Sequence, residues 1–157
     1  MLTVAALCVA LVALTTLFHY EVLRGLTLAL PRLAMPARAR LIVVIFGTFL
    51  AHSAEILVYA LAIWLVARHP GLGGLAGRAR FTPWVALYFS AETFSSLGYG
   101  DIVPDGVLRL LAGVEALNGL LLIGWSASYT YLAMERFWND DGRGARPGRR
   151  DGLARGA

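Results

Sequence analysis

The sequence has few charged residues, a single cysteine and no lysine. Only 15% of its 157 residues are charged, whereas a soluble domain carries about 25%, and this excludes an ordinary water-soluble domain. With Cys8 alone, an intrachain disulfide is excluded. All fourteen basic residues are arginine. Because basic residues in a membrane protein report first on its orientation, they do not indicate nucleic-acid binding.

Several functional patterns are also missing. There is no ladder of regularly spaced Arg, which excludes a voltage sensor. There is no dinucleotide-type glycine motif and no calcium-loop spacing, which argues against a ligand-sensing domain of those kinds. Nothing in the pattern indicates catalysis. The first apolar run has no basic segment before it and no small-residue cleavage site after it, so we expect no cleaved signal peptide.

What the chain does have is three long apolar runs, at 2–20, 41–67 and 107–134. About 20 apolar residues cross a bilayer, so each run is long enough to be a transmembrane helix. The second and third runs exceed that length, and we expect them to tilt or to extend beyond the hydrocarbon. The sequence therefore predicts an all-α membrane protein with three spanning helices.

The segments between the runs predict the remaining elements. Residues 24–40 hold two Pro and four Arg, which predicts a connector whose apolar part, 26–30, lies along the membrane interface. A Gly-rich turn at 71–77 precedes a predicted helix over 83–94, with Thr82 as its N-cap and Pro83 as its first residue. This helix is too short to span, so we expect it to be re-entrant. Residues 139–157 are predicted to be disordered.

Arginine counts predict the orientation. If the 24–40 connector and the C-terminal tail share one side, that side holds ten of the fourteen Arg. The positive-inside rule then places both in the cytoplasm, and it places the N-terminus and the loop after the short helix outside. We expect a multi-pass protein of the cell (inner) membrane. The Arg-rich tail is read either as a solvated positive-inside tail or as a site for anionic lipid.

The loop after the short helix reads Ser-Ser-Leu-Gly-Tyr-Gly-Asp at 95–101. Its two glycines, Gly98 and Gly100, occupy alternate positions and tolerate left-handed backbone angles, which lets successive carbonyls face one way. With its flanking helices, this run resembles the selectivity filter of the potassium-channel family, whose two-helix pore module would cover 41–138. The resemblance implies an outer helix at 41–67, a pore helix at 83–94, a filter at 95–101 and an inner helix at 107–137. Residues 1–23 would be an additional N-terminal helix, packed peripherally against an outer helix.

The resemblance also implies roles for individual residues. K⁺ would be the permeant ligand, bound by a homotetramer with no other cofactor, and its coordinating positions would be Ser96, Leu97, Gly98, Tyr99 and Gly100. The filter would be supported by Tyr88, Phe89, Glu92, Thr93, Ser95 and Asp101, with Glu92 and Asp101 sharing a proton behind it. The chain departs from the family pattern at Ser95, Ser96 and Leu97, and Phe89 cannot donate a hydrogen bond to Tyr99. We therefore hypothesise a less rigid filter with weaker discrimination against Na⁺.

Glycines in the third run have two readings. Gly119 lies near the hinge position of the family, but glycine in a membrane helix also permits close packing. We leave both readings open. Gly124 and Leu132 are further candidates for the gate, because they follow Gly119 along the part of the inner helix that would line the cavity.

Ionisable residues inside the runs form the last candidate site. His52 and Glu55 are three residues apart on one face of the second run, and Glu115 lies in the third. Because charge in a membrane is costly, such groups should be paired or neutral. One reading is an interhelical hydrogen-bond network, and the other is a proton or metal sensor coupled to the filter.

The sequence thus predicts a passive potassium-selective channel and no enzyme. Two alternatives remain, a weakly selective monovalent cation channel and a non-conducting protein that keeps the pore fold as a sensor or partner subunit.

Overall fold

The computed structural model describes residues 2–69, 71–77 and 80–144, except for the side chains of 37 and 139–144. Four α-helices and two short strands follow one another in the order α1 (Leu2–Ala29), α2 (Ala37–Ala67), β1 (Leu75–Gly77), α3 (Pro83–Phe94), β2 (Ile102–Pro104) and α4 (Leu108–Gly144). Three of the helices, α1, α2 and α4, are long and apolar enough to cross a membrane. The chain is an all-α membrane protein, as predicted.

The lipid-exposed character of α2 follows from its residues. Large apolar side chains such as Phe46, Phe49, Leu57 and Leu61 are exposed on its outer surface, while Tyr59 and Ile63 are fully buried. A helix that is apolar on every face is stable only inside a larger apolar medium. The buried side of α2 packs against α1, α3 and α4, and α4 likewise packs against the other three helices.

The connector is much shorter than predicted. We expected the first helix to end at residue 23 and a connector over 24–40, but α1 continues to Ala29 and a 3₁₀ turn, Leu30–Arg32, follows it directly. The apolar residues 26–30 extend the helix instead of lying along the interface. Pro31 is tolerated because it falls at the start of the 3₁₀ turn, where no N–H is needed. Only residues 33–36 lie outside helical structure before α2 begins.

Helix α1 is also less peripheral than predicted. It packs against α4 as well as α2, and hydrogen bonds cross from Asn118 to Thr15 (2.8 Å) and between Ser126 and His19 (3.2 Å). Val4, Cys8 and Leu11 belong to the main core. The first helix is therefore part of the packed bundle, because its small and polar side chains fit against both neighbours.

Helix α3 has the bounds expected from its capping residues. The Thr82 Oγ1 accepts a hydrogen bond from the N–H of Val85 (3.3 Å), and Pro83 is the first helical residue. Ala86, Phe89 and Phe94 are buried in the main core between α2 and α4. The short helix thus enters the bundle and ends inside it.

A two-stranded antiparallel ribbon was not predicted. Strand β1 pairs with β2 in the register Leu75↔Pro104, Ala76↔Val103 and Gly77↔Ile102. Glycine is needed where the loops around the ribbon cross, because Gly73 has φ +96° and a Cβ there would meet the Cα of Gly106 at 2.9 Å. The ribbon ties the loop before α3 to the chain that leaves the 95–101 segment.

The last helix extends past its predicted end. We predicted a helix over 107–137 and disorder from residue 139, but α4 runs from Leu108 to Gly144. Extending a formed helix adds one hydrogen bond for each residue fixed and needs no new nucleus, which explains the overrun into a polar sequence. The remainder of the predicted disordered tail lies outside the described residues.

Candidate functional site

The 95–101 segment begins at the carboxyl end of α3. The N–H of Ser96 donates to the carbonyl of Thr93 (3.0 Å), and the N–H of Leu97 donates to the carbonyl of Glu92 (2.8 Å). These bonds use carbonyls that a helix end otherwise leaves without partners, so the helix fixes the direction in which the segment departs. All residues of the segment are exposed in the single chain.

Backbone conformation alternates along this segment. Ser96, Gly98 and Gly100 have φ values of +57°, +55° and +77°, all in the left-handed region. In an ordinary strand the groups of successive residues face opposite sides. Placing every second residue in the left-handed region removes that alternation, so that successive carbonyl oxygens can face a common side.

Glycine is required here by conformation and not by space. A Cβ on Gly98 or Gly100 would meet no atom within 4 Å. Ser96 adopts the same conformation although it has a Cβ, which costs an L-residue about 1–2 kcal/mol. Such strained residues concentrate at functional sites.

A buried carboxyl group links α3 to the segment. The Glu92 Oε2 accepts a hydrogen bond from the N–H of Tyr99 (3.2 Å). Loss of surrounding water raises the pKa of the Glu92 carboxyl, and the nearby charge of Asp101 raises it further, against the lowering effect of the Tyr99 N–H. Glu92 therefore holds the segment near its middle, at Tyr99.

A second carboxyl group, that of Asp101, is bound by Tyr88 of α3. The hydroxyl of Tyr88 donates to the Asp101 carboxylate at 3.2 and 3.3 Å. The Tyr88 ring stacks on the Tyr99 ring, with centroids 6.5 Å apart and planes 6° from parallel. One tyrosine of α3 thus contacts both the middle and the end of the segment.

Two predicted support roles need correction. We predicted that Glu92 and Asp101 share a proton, but each carboxyl group bonds to a different partner, and Asp101 acts on Glu92 through its charge. We also predicted that Phe89 wraps the segment beside Tyr88. Phe89 instead points into the main core and is only 3% exposed, because successive residues of a helix face different directions.

The two hydroxyl residues at the end of α3 act locally. The Ser95 Oγ donates to the carbonyl of Ala91 (2.7 Å). Thr93, which is half-buried, contributes its backbone carbonyl to Ser96. Both residues stabilise the turn from which the segment departs.

Phe94 and Gly119 form the closest contact between α3 and α4. A Cβ on Gly119 would overlap the carbonyl oxygen of Phe94 and would lie 2.9 Å from its carbonyl carbon. Gly119 is therefore a packing glycine in this conformation, which selects one of the two readings given to it. Gly124 has open space around a Cβ position, and Leu132 is half exposed, so neither packs tightly within the single chain.

Below Phe94 lies a group that we call the buried histidine cluster, which consists of His19, His52 and Glu55. The Nδ1 of His19 lies 2.8 Å from one Glu55 oxygen, and the Nδ1 of His52 lies 2.9 Å from the other. His19 and Glu55 are fully buried, whereas the His52 side chain is 17% exposed. The His52 ring lies 5.8 Å from the Phe94 ring, so the cluster adjoins the end of α3.

Glu115, which we grouped with His52 and Glu55, has a different partner. Its Oε1 contacts the Ser90 Oγ, which also lies 2.9 Å from the carbonyl of Ile56. A hydroxyl has a single proton to donate, so both contacts are hydrogen bonds when Glu115 is a carboxylic acid that donates to Ser90. The neutral acid also avoids a charge in the membrane.

Sequence reasoning missed several partners of these groups. His19 was not assigned to the candidate site, although it completes the histidine cluster, and Ser126 and Ser90 were not singled out. Polar residues within apolar runs were the available signal. Which of them meet depends on how α1 and α4 pack, and spacing within one helix cannot show that.

Comparison with known protein families gives one match. The family described as "Ion channel" matches residues 38–136, which include α2, α3, the 95–101 segment and most of α4. No curated protein and no solved structure matches the chain. Since the match covers more than half of the residues, the chain belongs to this family of pore-loop ion channels.

Proposed function

We propose that the protein is a passive potassium-selective channel, in which backbone carbonyls of the 95–101 segment replace the water around K⁺. The observation that carries this proposal is the alternation of left-handed backbone at Ser96, Gly98 and Gly100. A K⁺ ion gives up its hydration shell only where rings of oxygens replace it. The coordinating groups would be those of Ser96, Leu97, Gly98, Tyr99 and Gly100.

The proposal requires four copies of the chain. One segment supplies one oxygen at each level, and a ring around an ion needs several. The 95–101 segment is exposed in the single chain, with Leu97 57% and Tyr99 67% exposed. Large apolar side chains left open beside a functional segment favour burial against further copies. A homotetramer around the axis of the pore meets both needs.

One observation favours the second candidate function, a weakly selective cation channel. Tyr99 is held by its N–H and by stacking on Tyr88, while Phe89 has no donor to offer its hydroxyl. A filter held by fewer bonds adapts more readily to a smaller ion. Selectivity among monovalent cations is therefore the property most in need of measurement.

The orientation that we propose follows from arginine. The α1–α2 turn and the late part of α4 lie at one end of the bundle, since Leu30, Val44 and Ala133 pack together there. Among the described residues, that end holds Arg24, Arg32, Arg38, Arg40 and Arg136. In our proposal it therefore faces the cytoplasm, and the 95–101 segment lies nearer the outer side of the inner membrane.

The same end offers a place for lipid. A cavity of about 290 Å³ is lined by Arg40 and Arg136 together with Thr27, Tyr129 and apolar side chains. The buried Nε of Arg40 has no hydrogen-bond partner within the described residues. Basic pockets between helices on the cytoplasmic side suit anionic headgroups. We extend the predicted lipid contact of the tail to this pocket.

Flux from liposomes tests the proposal. The purified protein, reconstituted at known orientation, should release K⁺ and should be blocked by Ba²⁺, an ion of similar size to K⁺. Reversal potentials in mixed K⁺ and Na⁺ solutions separate the two candidate functions, and cross-linking should give a tetramer. A tetramer without flux under any condition would indicate a non-conducting partner subunit and would overturn the proposal.

A further inference from the structure

We propose that His19, His52 and Glu55 form a binding site for a divalent transition-metal ion of the Zn²⁺ class. Each residue offers one ligand atom, and these atoms all lie within 4.8 Å of one another. His19 comes from α1, whereas His52 and Glu55 come from α2, so a bound ion would join two spanning helices.

The donor set fits this class of ion. Two imidazoles and one carboxylate are established ligands of Zn²⁺, and three protein ligands leave a fourth position for water. Metal–ligand distances of about 2.0–2.1 Å place tetrahedral ligands about 3.3 Å apart. The two nitrogen–oxygen distances, which run to different oxygens of Glu55, are 2.8 and 2.9 Å. These pairs need to open slightly, and the other ligand pairs, which lie within 4.8 Å, need to close by at most about 1.5 Å to reach that spacing.

Charge favours a cation in this position. With neutral imidazoles and an ionised Glu55, the cluster carries a net negative charge among spanning helices, where charge is costly. Among the described residues, the ion-pair partners of Glu55 are the two histidines alone. A divalent ion supplies the carboxylate with a counter-charge and uses the lone pair of each ring, and a hydroxide in the fourth position would make the occupied site neutral.

An outer partner supports the site from α4. The Ser126 Oγ lies 3.2 Å from the Nε2 of His19, the ring nitrogen opposite the one that faces Glu55. A histidine bound to metal through Nδ1 carries its proton on Nε2 and usually donates it to such a partner. A hydroxyl can either donate or accept, so Ser126 fits both the empty and the occupied site.

The partly exposed side of the cluster lies at His52, which also adjoins the end of α3. The His52 ring contacts Phe94, which directly precedes the 95–101 segment. Occupancy would fix His52 and restrict the packing behind Phe94. An effect of the metal on K⁺ flux is therefore expected, and this consequence rests on the proposed function, while metal binding itself does not.

A Co²⁺ titration of the full chain in detergent tests the site. Co²⁺ replaces Zn²⁺ and gives visible absorption when three nitrogen and oxygen ligands hold it at low coordination number. We expect one ion per chain, binding at least tenfold weaker in His19→Gln and His52→Gln, and about tenfold weaker in Ser126→Ala. His69→Gln is the matched control, because His69 is exposed beyond the end of α2, and it should bind as the unaltered protein does.

A second measurement covers the case in which a histidine variant does not fold. Zn²⁺, but not Mg²⁺, should raise the thermal unfolding midpoint of the unaltered protein, because a ligand that binds only the folded state stabilises it. Absence of Co²⁺ binding to the unaltered protein, or equal binding by His52→Gln and His69→Gln, would overturn the proposal. Loss of flux with retained Co²⁺ binding would instead count against the proposed function alone.

Discussion

The 95–101 segment directly follows Phe94, and the buried histidine cluster contacts the Phe94 ring through His52, but the two regions use the chain in opposite ways. In the segment, backbone conformation carries the chemistry, and the key residues are glycines with open space around them. In the cluster, side chains carry it, and His19 and Glu55 have no exposed surface at all. In the segment, we expect a substitution to matter when it changes the φ that a residue can adopt. In the cluster, we expect it to matter when it changes a buried side chain or its contacts. This difference determines which substitutions should matter in each.

The largest expected effect is the loss of conduction in Gly98→Ala. Alanine at φ +55° strains the backbone by about 1–2 kcal/mol, so the helices should still fold while the carbonyl directions change. We expect K⁺ flux to fall at least tenfold with unchanged helicity. Gly25→Ala in α1 is the control, since its Cβ also meets no atom but its φ lies outside the left-handed region. Equal flux in both variants would remove the backbone from the explanation.

Features of this segment that depend on neighbouring residues were predictable from the sequence, and features that depend on more distant contacts were not. The helix over 83–94 was predictable from Thr82 and Pro83, because capping acts between neighbours. The left-handed glycines were predictable from their spacing. The separate partners of Glu92 and Asp101 were not predictable, because the Asp101 bond depends on the direction of Tyr88 relative to a loop.

A smaller effect, on stability, is expected for Gly119→Ala. Its Cβ would overlap the Phe94 carbonyl, which belongs to backbone and cannot rotate away. Overpacking of this kind costs about 1–3 kcal/mol, and it should lower the thermal unfolding midpoint. Gly113→Ala, with nothing within 4 Å of its Cβ, should leave the midpoint unchanged or raise it. A stable Gly119→Ala protein with altered opening would restore the hinge reading.

Asn118→Leu tests the contribution of hydrogen bonds between the spanning helices. The Asn118 amide donates to the Thr15 hydroxyl (2.8 Å) and to the Tyr59 hydroxyl (3.1 Å). Hydrogen bonds between membrane helices contribute about 0.6 kcal/mol on average and up to about 1.7 kcal/mol, so we expect a loss in that range by thermal unfolding. Ser53→Ala removes only a bond within α2 and serves as the control. If the two variants lose the same stability, the interhelical bonds contribute nothing beyond a local one.

The buried groups show where sequence reasoning stops. His52 and Glu55 were paired correctly because three-residue spacing places them on one face of a helix. Glu115 was grouped with them only because it is another ionisable residue inside an apolar run, and its partner proved to be Ser90 of α3. His19 joined the cluster because α1 packs more deeply than expected. Similar depth in a membrane does not identify contacts, since the rotation of each helix about its own axis is set by packing.

The smallest effect concerns pH and Glu92, the buried carboxyl group of α3 that contacts the 95–101 segment. Burial, and then the charge of Asp101, raise the pKa of Glu92 above its ordinary value of 4.5. A folded state that binds the proton more tightly than the unfolded state is stabilised below that ordinary value, and this contribution is lost as pH rises through the folded pKa. Thermal unfolding midpoints of the unaltered protein should therefore fall across that interval.

Glu92→Gln keeps an oxygen for the Tyr99 N–H but cannot titrate, so its profile should be flatter. Glu21→Gln, at an exposed ion pair, is the control and should leave the slope in place. A Glu92→Gln profile as steep as that of the unaltered protein would mean that another group titrates, and the Glu92 contact would then be structural only.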